Sequence, residues 1–180
     1  MPVIIFFDEL DALVPRRDGA NSEASSRVVN TLLTELDGVG ASREGIYVIA
    51  ATNRPDIIDP AMLRPGRLET LLYVGLPEEN DRVEILRTLT KRLGGFEWTV
   101  EMEDIARKCV RFSGADLESL VRQASFAAIE RFAPDGQVIS PEMCKVMVGD
   151  FVTARSKVQP SVSEEEHARF RLLQRELGKL

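Results

Sequence analysis

The chain opens on a short apolar run, Val3-Ile4-Ile5-Phe6-Phe7, that two carboxylates, Asp8 and Glu9, end abruptly. A run of β-branched and aromatic residues of this length reads as a strand of the kind buried on both faces in a parallel sheet. Leu10 to Val14 continue out of it until Pro15 blocks helix extension, and the small polar residues 16–26 read as a mobile loop. A helix is predicted from about Ser25 to Asp37, with Val28, Leu32, Leu33 and Leu36 as its apolar stripe and Asp37-Gly38 as its stop. Ile46 to Ala51 is a second buried-type strand. Asp59-Pro60 opens a short helix that Arg64-Pro65-Gly66-Arg67 breaks, and Leu71 to Val74 reads as a third strand. Strand, helix, strand, short helix, strand is an α/β pattern.

After Pro77 the pattern turns helical. Helices are predicted over Asp81 to Leu93, with Val83, Leu86 and Leu89 on one face, and over Met102 to Val110. Ser113-Gly114-Ala115-Asp116 has the form of a capping box. It starts a helix to Phe132 whose apolar residues include Leu117, Leu120, Val121, Ala124 and Ala128. Gln137 to Ile139 read as a short extended piece. Another helix follows from about Met147 to Lys157 with Phe151 and Val152 inward, and Ser163 caps a last, highly charged helix.

Composition narrows the class. The 180 residues are 44% hydrophobic and 29% charged, as in a soluble globular protein. The net charge of −6 argues against broad nucleic-acid binding. Cys109 and Cys144 lack metal-ligand spacing and read as reduced thiols. His167, the only histidine, falls in a charged helix, which argues against a Ser-His triad and a His-based metal site. The opening run is too short to span a membrane and lacks the flanks of a signal peptide.

The chemistry sits at the carboxyl ends of the predicted strands, where open parallel sheets bind ligands. Adjacent carboxylates there suit a divalent metal and an activated water. Taken alone, Asp8-Glu9 is better read as an acidic turn and Asn53 as a turn cap. No G-x-x-x-x-G-K-[ST] phosphate loop occurs in the chain, so an Asp-Glu strand end stands without the cradle it would serve. The sequence is expected to be a fragment whose N-terminal part is missing.

Taken together and in order, the segments Phe6-Phe7-Asp8-Glu9, Arg27-Val28-Val29-Asn30, Leu33-Thr34-Glu35-Leu36-Asp37-Gly38, Ala51-Thr52-Asn53-Arg54-Pro55-Asp56, Leu63-Arg64-Pro65-Gly66-Arg67 and Phe112-Ser113-Gly114-Ala115-Asp116-Leu117 resemble the C-terminal two thirds of an AAA-type ATPase domain. The wording of Asp11 to Arg17, Val74 to Pro77 and Ile85 to Lys91 is similar to the second ATPase domain of the nuclear valosin-containing-protein-like family, which serves ribosome biogenesis.

The resemblance implies an incomplete parallel AAA+ sheet, three strands expected, and a C-terminal helical lid. The domains would be 1–76 (part of the large α/β subdomain), 77–157 (lid) and 158–180 (C-terminal helix and tail). It implies ATP and Mg²⁺ as cofactors. Asp8 would hold Mg²⁺ through water, Glu9 would polarise the attacking water, and Asn53 would act as the polar sensor. Arg64 and Arg67 would be arginine fingers reaching the next subunit's nucleotide, a contribution of ~10³–10⁵ in rate. Gly114 and Ala115 would touch the base and ribose, Arg16 and Arg17 would belong to the second pore loop, and Asp37-Gly38 would signal between subunits. The parent would be a hexamer acting on pre-ribosomal protein factors in the nucleus or nucleolus, otherwise in the cytoplasm. It would bind neither membrane nor nucleic acid sequence-specifically, and this chain alone is expected to be inactive. Alternatives are a valosin-containing-protein-like segregase, an interaction fragment that modulates a full ring and, more weakly, a DEAD-type helicase. In the family's sheet the phosphate-loop strand lies beside Leu71–Val74. Without it, Leu71–Val74 is expected to lack its partner; in this incomplete sheet Val3–Phe7 is expected to be an exposed edge and the large-subdomain part poorly stable alone.

Overall fold

The computed structural model describes residues 2–16, 23–39, 45–94, 96–133 and 144–177. The chain divides into two compact units, Met1–Tyr73 with Leu173–Leu180, and Val74–Leu172. The architecture is mixed α/β, with one small parallel sheet and otherwise helices.

In the first unit β1 (Val3–Phe7) pairs in parallel with β2 (Ile46–Ala50), in a register that sets Val3 opposite Ile46 and Phe7 opposite Ala50. A short helix α1 (Leu10–Leu13) follows β1, and α2 spans Glu23–Val39. The core joins Leu10, Val14, Val29, Leu33, Leu36, Ile58 and Met62, with Phe7, Val48 and Leu68 packed against it. It is Val29, not Val28, that faces inward, Val28 being half exposed. Adjacent helical residues lie about 100° apart, and 29, 33 and 36 share one face. α2 also starts earlier than its stripe predicts, taking the end of the expected loop into its first turn.

The predicted third strand does not form. Leu71 to Val74 lie outside any ladder among the described residues. A strand exists only as paired backbone, and an apolar run without a partner has no ladder to join. Nor are the two strands buried as their composition predicts: Ile4 is 66% exposed, Phe6 59% and Tyr47 61%. β1 is an edge, as expected for a sheet missing neighbours.

The second unit packs α3 (Glu79–Thr90), α4 (Val100–Lys108), α5 (Gly114–Phe132) and α6 (Val148–Lys157) around Leu86, Met102, Ala106, Phe112, Leu117, Leu120, Phe151 and Ala154, all fully buried. The rings of Phe96 and Phe151 meet at 5.3 Å, in the tilted geometry aromatic pairs favour. Val152 points outward, against expectation, because Phe151 and Ala154, three apart, already form the inward stripe of α6. Arg82 is buried yet satisfied, donating to the carbonyls of Pro77, Ala106 and Arg107. The capping box of α5 is present as predicted. The helix α7 (Glu164–Leu177) is capped by Ser163, whose Oγ accepts from Glu166 N at 3.1 Å. Gln137 to Ile139 lie outside the described residues.

Candidate active site

The parallel pairing decides the geometry of the first unit's site. Because β1 and β2 run the same way in register, both end at one rim: Ala51 N donates to Phe7 O (2.8 Å) and Leu10 N to Ala51 O (2.9 Å). Asp8 and Glu9 leave that rim from β1, and Thr52 and Asn53 leave it from β2. All but Thr52 are exposed.

The turn after β1 is built tightly. Glu9 has φ 49° and ψ 50°, the left-handed region, while its N–H donates to Asp8 Oδ1 at 2.9 Å. A non-glycine residue there costs roughly 1–2 kcal/mol. Such strain clusters at functional sites. Across the rim, Thr52 Oγ1 donates to Asp11 Oδ1 at 2.6 Å and accepts from Arg54 N at 2.9 Å. Arg54 in turn makes two bonds to Asp56, both 3.1 Å. This chain of bonds fixes the loop that carries Asn53. Sequence reasoning assigned no role to Asp11 or Thr52, since residues 41 apart meet only through the sheet.

The two candidate finger arginines differ. Arg64 is exposed. Arg67 is 14% exposed at its side chain and grips Asp37 at the end of α2 with Nε (2.7 Å) and Nη2 (2.6 Å), while Nη1 donates to Ala61 O (2.6 Å). That fork raises the Arg67 pKa, the Asp37 hydrogen bond being the main cause. Gly66 turns the loop with φ +85°, a conformation that favours glycine. Arg16 lines the same open cleft of about 580 Å³ as Leu33, Asp59, Arg64 and Arg67. Its Nη1 donates to Asp56 O at 3.1 Å. Arg17 lies outside the described residues.

Gly114 and Ala115 belong to the second unit, exposed at the first turn of α5. A Cβ added to Gly114 would meet nothing within 4 Å, so packing does not require the glycine and its backbone stays open to approach. Among the described residues no three His, Cys, Asp or Glu side chains gather into a metal cage. Mg²⁺ needs no such cage, because it is normally held by one or two carboxylates, waters and substrate phosphates. No helix among the described residues is long and apolar enough to cross a membrane.

Comparison with known proteins decides the family. Residues 1–76 match the ATPase family associated with various cellular activities (AAA), and residues 99–141 match the AAA+ lid domain. The chain belongs to the AAA ATPase family. Similar proteins include an uncharacterised AAA domain-containing protein of Schizosaccharomyces pombe, 53% identical over 96% of this chain and 23% of the relative. The ribosome biogenesis ATPase RIX7 of Saccharomyces cerevisiae is 47% identical over 99% of this chain and 24% of its own length. The mouse nuclear valosin-containing protein-like is 48% identical over 98% of this chain and 21% of its own length. This AAA chain thus spans about a fifth to a quarter of the curated relatives it matches.

Proposed function

We propose that this AAA chain is part of a hexameric ring that uses ATP and Mg²⁺ to remodel pre-ribosomal particles of the large subunit, or extract proteins from them, in the nucleus. In this reading residues 1–76 are part of the large subdomain, 77–157 the lid and 158–180 a C-terminal helix and tail. Asp8 holds Mg²⁺ through its water shell, Glu9 polarises the attacking water and Asn53 senses it. Arg64 and Arg67 act on the neighbouring subunit's phosphates, Gly114 and Ala115 admit base and ribose, and Arg16 and Arg17 face the channel. The metal, when bound, neutralises charge on the phosphates.

The observation that carries the reading is the shared rim: two carboxylates and a neutral amide leave adjacent parallel strands at the same end, with the second carboxylate on a left-handed residue. An acidic residue poised to take a proton and an uncharged amide able both to donate and to accept are what hydrolysis needs on that side of a phosphoryl group. Two similar proteins, one a ribosome biogenesis ATPase and one named nuclear valosin-containing protein-like, favour the pre-ribosomal substrate.

In the assembled ring, Glu9→Gln lowers kcat for ATP by about 10²–10⁴-fold. The arrested ring co-sediments with large-subunit precursor particles. A ring whose turnover survives Glu9→Gln refutes the site, and an arrested ring that sediments with unrelated unfolding substrates supports a general segregase instead. No G-x-x-x-x-G-K-[ST] lies within these 180 residues, so they do not turn ATP over by themselves. Steady-state turnover by the purified chain would overturn that statement.

A further inference from the structure

We infer that Ser161, which belongs to none of the motifs above, is a positioning residue that holds the first turn of α5 through Asp116. The inference rests on the reading of Gly114 and Ala115 as the nucleotide contact.

Asp116 is 7% exposed, and a single oxygen, Oδ2, faces four donors. Ser113 N and Ser113 Oγ donate at 2.8 Å each, Ser161 Oγ at 2.9 Å and Ser161 N at 3.1 Å. The two serine oxygens are 3.3 Å apart. Burial pushes the Asp116 carboxyl up, but the bonds from Ser113 and Ser161 outweigh it and its pKa falls. Half of this set is local: Ser113 with Asp116 is an ordinary capping box. The other half arrives from 45 residues away. A helix cap alone does not need it.

The same stretch of chain pins the approach to α5 from behind. Arg155 stacks over the fully buried Phe112 ring at 4.8 Å and donates to Lys108 O (3.2 Å) and Val158 O (3.4 Å). Arg111 sits at φ 64°, a left-handed turn the chain holds only if its surroundings insist. Residues 155–161 therefore grip Phe112 at one end and Asp116 at the other. Gly114 and Ala115 lie between these grips, exposed in the first turn of α5. Their orientation toward any ligand follows from the grips, and Ser161 supplies the charge-assisted one.

The test uses Ser161→Ala, which deletes the hydroxyl donor and keeps the N–H, and Ser161→Thr, which restores a hydroxyl. In hydrogen exchange on this chain, Ser161→Ala speeds the Asp116 and Leu117 amides about threefold to tenfold, while α5 amides beyond Leu120 and the thermal midpoint hold. In the assembled ring the KM for ATP rises by a similar factor and kcat moves less, and Ser161→Thr recovers most of the loss. Unchanged exchange at Asp116 and Leu117, a fall in kcat without a rise in KM, or a general loss of thermal stability would each overturn the positioning role. Gly114→Val separates the two layers. If it leaves KM unmoved, the nucleotide reading of α5 fails, and the exchange experiment still decides whether Ser161 latches the turn.

Discussion

The two units close their cores to different degrees. In Val74–Leu172 four helices pack around one core in which Phe112, Leu120 and Phe151 show no exposed surface, although Phe126, Met147 and Val152 outside it stay half exposed or more. In the first unit only the face of the sheet beneath α1 and α2 is covered, while Ile4, Phe6, Tyr47 and Leu72 stay largely open. Yet Asp8, Glu9, Asn53, Arg64 and Arg67, the residues proposed to act on phosphate, all sit in the less covered unit. A helical lid satisfies its backbone within each helix, whereas a sheet satisfies its backbone only through neighbouring strands. Asp8 and Asn53 thus stand on backbone held by pairing between β1 and β2, not closed within a single helix.

The sharpest way to break the comparison is to puncture the closed core. Phe151→Ala is expected to destabilise the second unit by about 3–5 kcal/mol, because the cavity adds to the lost transfer energy. Its urea midpoint, followed by the near-environment fluorescence of Trp98, should fall sharply. An effect under about 1 kcal/mol would mean the core is not as continuous as its burial indicates.

A smaller effect is expected from acid. Asp116 and Asp150 both have pKa values held below the ordinary carboxylate range. For Asp150 burial works against this, and the Arg131 fork (2.8–3.0 Å) with the Met147 N–H (2.8 Å) prevails. A folded-state pKa below the unfolded value, about 3.9 for Asp, contributes stability that is fully present at neutral pH. That stability drains away as pH falls from about 5 through the folded values. Urea midpoints between pH 6 and pH 3 should decline in the native chain. The decline should be shallower in Asp150→Asn, which starts lower at pH 6. Parallel curves would remove the carboxylate contribution from the account.

The smallest effect on stability tests the open side. Phe6→Ser with Leu72→Ser is expected to change unfolding free energy by no more than about 0.5 kcal/mol, the usual range for surface substitutions. Self-association and binding of a hydrophobic dye should drop visibly. A large loss of stability would show that these side chains are covered in solution and that the contrast between the units is narrower.

Much of this was legible in the chain. The α5 boundaries, its capping box, the Ser163 cap and the register of apolar positions in α3 and α5 follow from local propensity and period, which are written in adjacent residues. Asp8, Glu9 and Asn53 were singled out because the segments that carry them resemble the AAA family's, an acidic turn and a turn cap being the readings that local pattern alone favours. The misses share one cause. Leu71–Val74 has the composition of a strand but no partner to pair with, and Val28 and Val152 lie on helix faces that their neighbours 29 and 151 displaced. Each depended on which surface another segment occupied.

Sequence alone determined the family, the helices of the second unit, and which acids, amides and arginines the chain offers, because those properties reside in side-chain type and spacing. Tertiary structure alone decided that Asp8 and Asn53 share a rim, that Asp37 holds Arg67 while Arg64 stays exposed, and that Ser161 closes on Asp116. Hydrogen bonds and ion pairs act over about 3 Å, and no local pattern encodes which residues 30 or 45 positions apart will come within that reach.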